Sequence, residues 1–564
     1  MTYIQVCLPL RLEWNPWYST TEEVHVGQRV SVRFARKPYV GVVVSVGGQP
    51  DVKNVFAIDS ADTGLEDISE AEMKLWEFVS SYYMCTLGEV YKVAYPIAKV
   101  RGEMQALRMG EHSAQIQQKK RSALEAKIAK LEKSVGLREK ALQGKHNDAV
   151  TARLEEELSR LLEQLNIARV ELEALGSEPV HKAFQNTIDF REKPVLLRGT
   201  DRVPYYLDEI RRTLDAGRSV LILEPETDFG FNLRDALGRG LGERLLFYGA
   251  TSTDKQKREV MQTVRDSSSP VAVIGVRSAL FLPWTELGLV IVDEEQDVSF
   301  KQSEPAPLYN GRDVAAMLAR LHGARLILGS ACPSLESLSN CLSGKYELMP
   351  VSETLPAVEI IDIPAEKHKR GMVGNYSRRA LDEIRALPAD ALITVVRCYQ
   401  TEDDAVAEMR SLLSDRDPQL LTAVAARKSA SHSALTLVLQ ADALFDRSDF
   451  RADEKALQLL CSIRLHTDRL LVQCGAASHP VYRALASDGA GFADRKGVSA
   501  ALGELLAERK SFGLPPYTRL VDMYDKGGSM VRREVLQRDS SLASRKAELK
   551  LQYGALYTFD VDPL

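Results

Sequence analysis

No C-x-x-C pair occurs among the seven cysteines of this chain, Cys7, Cys85, Cys332, Cys341, Cys398, Cys461 and Cys474. That spacing argues against a zinc module and against a disulfide framework, and it fits a reducing compartment. Excess positive charge is missing too: the net charge is −5, so any nucleic-acid surface must be a local basic patch. No stretch reaches about 18 consecutive apolar residues, and residues 1–12 show no basic segment leading into a long apolar run. Neither a membrane span nor a signal peptide is expected, which makes the cytoplasm the default location. What is present is ordinary soluble composition, 45% apolar and 27% charged. At 564 residues the chain is too long for one core and suggests roughly three to five domains.

Residues 1–105 read as a small mixed domain. Val24, Val26, Val30, Val32 and Phe34 alternate with polar residues, the period of a half-buried strand, and residues 40–46 supply a second strand after a turn at 36–38. Met73, Trp76, Val79 and Tyr83 keep helical spacing across 69–83. Residues 111–176 differ in kind. Leu124, Ile128, Leu131 and Val135, then Leu154, Leu158, Leu161, Leu165, Ala168, Leu172 and Leu175, step by threes and fours, with a polar break at 144–147. That pattern predicts an antiparallel coiled-coil hairpin, which positions or binds a partner and does no chemistry. Residues 185–350 alternate apolar strands (195–197, 219–223, 244–248, 271–274, 287–292 and 325–328) with helical segments, and residues 351–478 repeat the alternation through 391–396, 435–439 and 470–472. Two tandem α/β domains with parallel sheets are predicted. Residues 479–564 form a remnant carboxy-terminal region, polar and charged beyond Tyr517, with no assignable fold.

The sequence LVIVDEEQD at 289–297 is an apolar strand that ends abruptly in carboxylates. Such a strand delivers them to the carboxyl edge of a parallel sheet, where open α/β folds bind ligands. In a nucleotide motor Asp293 would hold Mg²⁺ through water and Glu294 would polarise the attacking water. A solvated acidic turn after a core strand would look the same. However, IGVRSALFLP precedes it at 274–283 and LGSACPSLES follows at 328–337, the order of a superfamily-two helicase core.

With these segments in place the chain resembles the primosomal protein N′ family, the PriA-type replication-restart DNA helicases. DEEQD at 293–297, SFKQ at 299–302 and YNGRDV at 309–314 resemble that family's Walker B and aromatic-rich loop, and LEPE at 223–226 its motif Ia. DFRA at 449–452 and QLL at 458–460 resemble the approach to motif VI, and ERK at 508–510 with PPY at 515–517 the entry to the carboxy-terminal domain. LPL at 8–10, GVVV at 41–44 and YYMCTLGEV at 82–90 resemble its 3′-DNA-binding domain. The resemblance implies two helicase-like parallel-sheet lobes behind a small β-rich DNA-binding domain, with the coiled-coil hairpin inserted between them.

The departures bear on mechanism. Where the family's phosphate loop should follow Leu197, the chain reads RGTDRVPYY at 198–206. Gly199 and Thr200 are the remnant, the loop lysine is missing, Pro204 lacks an N–H, and Asp201 would face a triphosphate with like charge. Motif VI is reduced to SIRLHTDR at 462–469, with Arg469 alone in register and His466 at the finger position; motif V is lost around 427–430. An arginine finger is worth roughly 10³–10⁵ in rate, so no useful turnover is expected. No ATP, Mg²⁺ or zinc cofactor is expected, since the family's cysteine cluster after Cys398 is replaced by an acidic helix at 402–413.

DNA binding needs only a basic, partly aromatic surface. Tyr18, Arg29, Arg33, Arg36 and Lys37 are its candidates in the first domain, where PWY at 16–18 stands at the family's terminal-base pocket and leaves out the carboxylate. An ordinary solvated charged face would read alike. Arg277, Lys301, Tyr309 and Arg312 are candidates in the first lobe on resemblance alone. The expected partners are forked or single-stranded DNA, replication-restart proteins and a coiled-coil partner, with no membrane. Two alternatives stay open: an ATP-dependent 3′–5′ helicase with a divergent phosphate loop, and a scaffold acting through the coiled coil.

Overall fold

The computed structural model describes residues 1–48, 50, 55–96, 127–138, scattered positions from 140 to 165, 192–226, 233–266, 269–351, 355–398, 401–429, 431–445, 449–487 and 500–564. Most of the predicted coiled-coil hairpin lies outside these residues. Within it, residues 127–138 are helical, and Arg138 Nε donates to Glu157 Oε2 at 2.9 Å across the polar break.

The amino-terminal sheet is built from β1 (Thr2–Cys7), β2 (Trp17–Thr20), β3 (Arg29–Phe34), β4 (Lys37–Val46) and the short β5 (Phe56–Ala57), in the order β3-β4-β1-β2-β5. Two helices follow, Glu70–Tyr82 and Leu87–Ala94, each started by a reciprocal cap, Ser69 with Glu72 and Thr86 with Glu89. Trp76 is buried between them and stacks on Tyr91 at 5.4 Å.

Next comes a seven-stranded, all-parallel sheet: β6 (Val195–Arg198), β7 (Ser219–Leu223), β8 (Leu245–Tyr248), β9 (Ala272–Gly275), β10 (Leu287–Asp293), β11 (Arg325–Ser330) and β12 (Glu347–Pro350). Its order is β12-β6-β11-β10-β7-β9-β8. Every residue of β7 and β10 is buried, which is why these strands read as continuous apolar runs. A second parallel sheet has the order β13-β19-β18-β16-β17. Its strands are β13 (Ala357–Asp362), β16 (Ile393–Arg397), β17 (Gln419–Thr422), β18 (Leu435–Leu439) and β19 (Arg469–Cys474), with a small hairpin, β14 (Met372–Val373) and β15 (Tyr376–Ser377), beside it. The mixed α/β class is therefore as the sequence predicts.

The carboxy-terminal region, to which the sequence assigns no fold, is folded. Strands β20 (Thr518–Tyr524), β21 (Met530–Gln537) and β22 (Thr558–Val561) form an antiparallel sheet in the order β21-β20-β22, with the helix Leu542–Tyr553 between the last two in sequence. This module braces two others. Lys301 Nζ donates to Val561 O at 2.7 Å and pairs with Asp560 at 2.5 Å. Arg11 reaches Tyr557 O at 2.6 Å, and Lys546 Nζ reaches Tyr82 O at 2.8 Å.

The two parallel sheets are joined by a buried ion cluster. Arg451 donates to Glu336 at 2.6 Å, Arg509 donates to Glu454 at 2.6 Å, and Leu335 N–H donates to Glu454 at 2.8 Å. Both guanidinium groups lie over the Phe450 ring, at 4.8 and 5.4 Å. Burial favours neutral Glu336, but Arg451, Arg312 and Arg509 outweigh it and hold its carboxyl well below the ordinary value of 4.5. A depressed folded value gives stabilisation that is complete above 4.5 and is lost as the pH falls below it. Urea unfolding is expected to show this acid-side loss in the native chain and a smaller loss in Glu336→Gln. Equal slopes in the two proteins would remove the cluster from the energetics of closure.

Candidate functional site

β10, β11 and β6 lie side by side, so Asp293, Ser330 and Arg198 end their strands at one edge of the sheet, with Gly329 opposite Asp293. The first turn of the helix Val203–Asp215 faces the same edge. Arg202, at its amino end, is 6% exposed. Its guanidinium donates from Nε to Asp293 Oδ1 at 2.9 Å, from Nη1 to Gly199 O at 2.6 Å, and from Nη2 to Glu294 Oε1. Tyr206, one turn along, donates its hydroxyl to Asp293 Oδ1 at 2.7 Å. That ring fills the space over β11, where a Cβ on Gly329 would fall 1.7 Å from the Tyr206 oxygen. Burial opposes the charge on Arg202, yet Asp293 and Glu294 outweigh it and keep the group well above its ordinary value. Burial, with Asp293 next, drives the Tyr206 hydroxyl upward as well, so it stays a donor.

The rest of the remnant loop is also committed. Gly199 has φ of 131°, and its N–H donates to Ser330 O at 3.1 Å. A Cβ there would fall 2.6 Å from the Val351 side chain and 3.0 Å from its carbonyl oxygen, just past β12, and the positive φ favours glycine as well. Thr200 is half-buried beside it, and Pro204 removes a donor from the helix start. Glu294 sits at φ 49° and takes a second bond from Gln296 at 2.6 Å. The neighbouring Glu295 is a structural hub, accepting from Ser334 N–H at 2.7 Å, Ser337 Oγ at 2.9 Å and Arg312 at 3.0 Å.

A different kind of site lies on the amino-terminal sheet. β3 and β4 are joined by a two-residue turn, Ala35–Arg36, with φ of 48° and 65°. Its tip exposes Arg33, Arg36 and Lys37. Against it opens a cavity of about 790 Å³ walled by Trp14, Trp17, Tyr18, Phe34 and Phe56, with Arg33, Arg36 and Asp59 on its polar side. Phe56 is 74% and Trp14 57% exposed, and Trp14 meets Phe34 edge-on at 6.3 Å. Asp59 partly neutralises Arg33 at 3.4 Å. Accessible ring faces beside guanidinium groups are the chemistry that stacks bases and holds phosphates.

Several predicted residues lie elsewhere than expected. Arg29 is buried, donates to Glu66 O at 2.6 Å and lies over Tyr95, so it is an interior brace and not part of the basic surface. Tyr18 is buried as well, its hydroxyl on Arg33 O at 3.0 Å; it backs the cavity, whereas Trp14 and Phe56 present themselves to it. Lys301 and Tyr309 are interior groups, engaged with the carboxy-terminal sheet and the Phe281 ring, and Arg312 is half-buried and held by Glu295. Arg277 is largely spent on Ser299 O and Lys301 O, at 2.8 and 2.9 Å. Arg469 opens β19 at the amino edge of its sheet and pairs with Glu383 at 3.1 Å, away from Asp293. Arg202 was in view in RGTDRVPYY, but its role depends on a contact 91 residues away. Among the described residues no cluster of metal-binding side chains occurs, and no helix is long and apolar enough to cross a membrane.

Residues 5–96 match the family model of the PriA 3′DNA-binding domain. The replication restart protein PriA of Rickettsia prowazekii is 28% identical over 377 residues, covering 65% of this chain and 49% of that protein. PriA of Synechocystis is 33% identical over 287 residues, covering 48% of this chain and 34% of that protein. The chain thus spans about half the length of the first relatives it matches. Among solved structures, RecG bound to a three-way DNA junction aligns at TM-score 0.34 and 12% identity, over 56% of this chain and 47% of that one.

Removing the Arg202 guanidinium leaves buried carboxylates without their cation. Arg202→Ala is expected to lose about 3–5 kcal/mol in urea unfolding. Tyr206→Phe, which removes one hydrogen bond to a charged acceptor, is expected to lose roughly 1.5–3 kcal/mol. Millimolar Mg²⁺ should then raise the melting temperature of Arg202→Ala and leave the native chain unchanged.

Proposed function

We propose that this chain, a relative of the PriA replication restart proteins, is a DNA-binding factor of replication restart that does not turn over ATP. The reading rests on Arg202. Its guanidinium is paired with both carboxylates that a Mg²⁺–nucleotide would need, and the Gly199 N–H and the Tyr206 hydroxyl are committed to partners inside the fold. The residues present do not fit the metal or the triphosphate. Displacing a buried, doubly paired arginine would cost several kcal/mol before any phosphate contact formed. Turnover would further need an arginine finger, and Arg469 is held on the far edge of its own sheet.

DNA binding in this reading falls to residues 5–96. The match to a 3′DNA-binding domain coincides with the aromatic cavity and the basic hairpin tip, the most open ring-and-guanidinium surface described above. Forked or single-stranded DNA is the proposed ligand, with the end of a strand entering between Trp14 and Phe56. The two parallel-sheet units, 185–350 and 351–478, are read as helicase-like lobes kept for shape and not for motion. The coiled-coil hairpin at 111–176 is read as the surface for a replication partner, supported by the Arg138–Glu157 contact. No nucleotide, Mg²⁺ or zinc cofactor is proposed, and the setting proposed is the cytoplasm.

Fluorescence anisotropy with forked DNA at low salt is expected to show binding that weakens as salt rises. Trp14→Ala and Phe56→Ala should each weaken it by about 1–3 kcal/mol, the worth of a stacked base. Arg36→Ala should instead weaken all sequences alike and flatten the salt dependence. Phosphate release from ATP should stay at background with or without DNA. Release that rises with DNA and vanishes in Glu294→Gln would replace this reading with the helicase one.

A further inference from the structure

The rings of the amino-terminal cavity suit any base, because every base has a face to stack. Its polar side is more particular. Among the residues that line it, Asp59 carries the one carboxylate. The Asp59 N–H donates to Ser31 O at 2.8 Å, so that carboxylate is carried on backbone pinned to β3. Arg33 Nε lies 3.4 Å from Asp59 Oδ2, and the two side chains are 72% and 38% exposed, so the pair stands open to an incoming group. Burial raises the Tyr18 hydroxyl, and the Asp59 charge raises it further, to about 12, which sets that charge beside the back wall of the cavity. We infer that Asp59, with Arg33 beside it, selects guanine at the end of the bound strand, an inference that rests on the DNA-binding reading above.

The choice follows from donors and acceptors. An ionised carboxylate only accepts hydrogen bonds, and its two oxygens stand side by side. Guanine is the DNA base whose pairing edge offers two adjacent donors, N1–H and the 2-amino group. Its O6 acceptor comes next along that edge, where a guanidinium beside the carboxylate can donate to it. Adenine and cytosine each offer one amino group, next to a ring nitrogen whose lone pair repels a carboxylate. Thymine offers N3–H between two carbonyl oxygens, so Asp59 would meet like partial charge on both sides. Gln5 and Asn15 also line the cavity, but an amide carries a donor and an acceptor and can turn to suit any edge. Arg36, exposed at the hairpin tip, attracts phosphate whatever the base. Discrimination therefore falls to the group that can only accept.

Fluorescence anisotropy of the full chain, with single strands that differ only in the 3′-terminal nucleotide, tests this. The strand ending in deoxyguanosine should bind tightest and the one ending in thymidine weakest, roughly tenfold or more apart, the discrimination that one bidentate base contact gives. A deoxyinosine terminus, which lacks the 2-amino group, should lose most of guanine's lead in the native chain, with no variant required. Asp59→Asn, its fold checked by circular dichroism, should erase that lead. Four termini that bind alike, deoxyinosine equal to deoxyguanosine, or a guanine lead that persists in folded Asp59→Asn would each overturn the selection. Where binding still falls in Trp14→Ala but the terminus makes no difference, the DNA-binding reading stands and the role of Asp59 falls. Where no strand binds at low salt, both fall together.

Discussion

A guanidinium held between two carboxylates at the end of a parallel strand is the constraint on which this molecule turns. Arg202, Asp293 and Glu294 lie at the sheet edge where strand order places ligand chemistry, and they satisfy one another there. Each member is costly to bury alone and tolerable together, which makes the cluster self-enforcing. Tyr206 completes it from the same helix, so the sequence of one helical turn fixes both the cation and the lid over it.

The same logic, charge buried against charge, recurs at each seam. Glu336, Arg451, Glu454 and Arg509 join the two parallel sheets, and Arg427 adds a further link to Asp297. Lys301 and Arg11 tie the carboxy-terminal sheet to the rest of the chain. Beneath these pairs a single apolar core runs from the amino-terminal helices through both sheets to β20 and β22. Seams closed by desolvated ion pairs tie the sheets to one another.

Much of the architecture was legible because the parallel strands are buried on both faces, and continuous apolar runs such as 219–223 announce them. The carboxy-terminal sheet was not, because β21 is nearly all exposed and shows neither an apolar run nor clean alternation. At the site, Asp293 and Glu294 could be found from the abrupt end of β10. The fate of the cations could not. Arg29 and Lys301 look like surface charge in sequence, and their partners are remote: Lys301 meets a carbonyl 260 residues away. Sequence composition counts charges but does not reveal which are desolvated, and burial decides whether a lysine meets DNA or a carboxylate.

The turn at Ala35–Arg36 carries a consequence of its own. Both residues adopt left-handed backbone, which a connection of this kind normally assigns to Asn-Gly because a Cβ is penalised there. The hairpin therefore gives up on the order of 1–2 kcal/mol per residue at its apex. In return it extends a guanidinium where glycine would offer none. Rigidity and grip compete at those two positions, and a thermally hardened hairpin would be a blunter one.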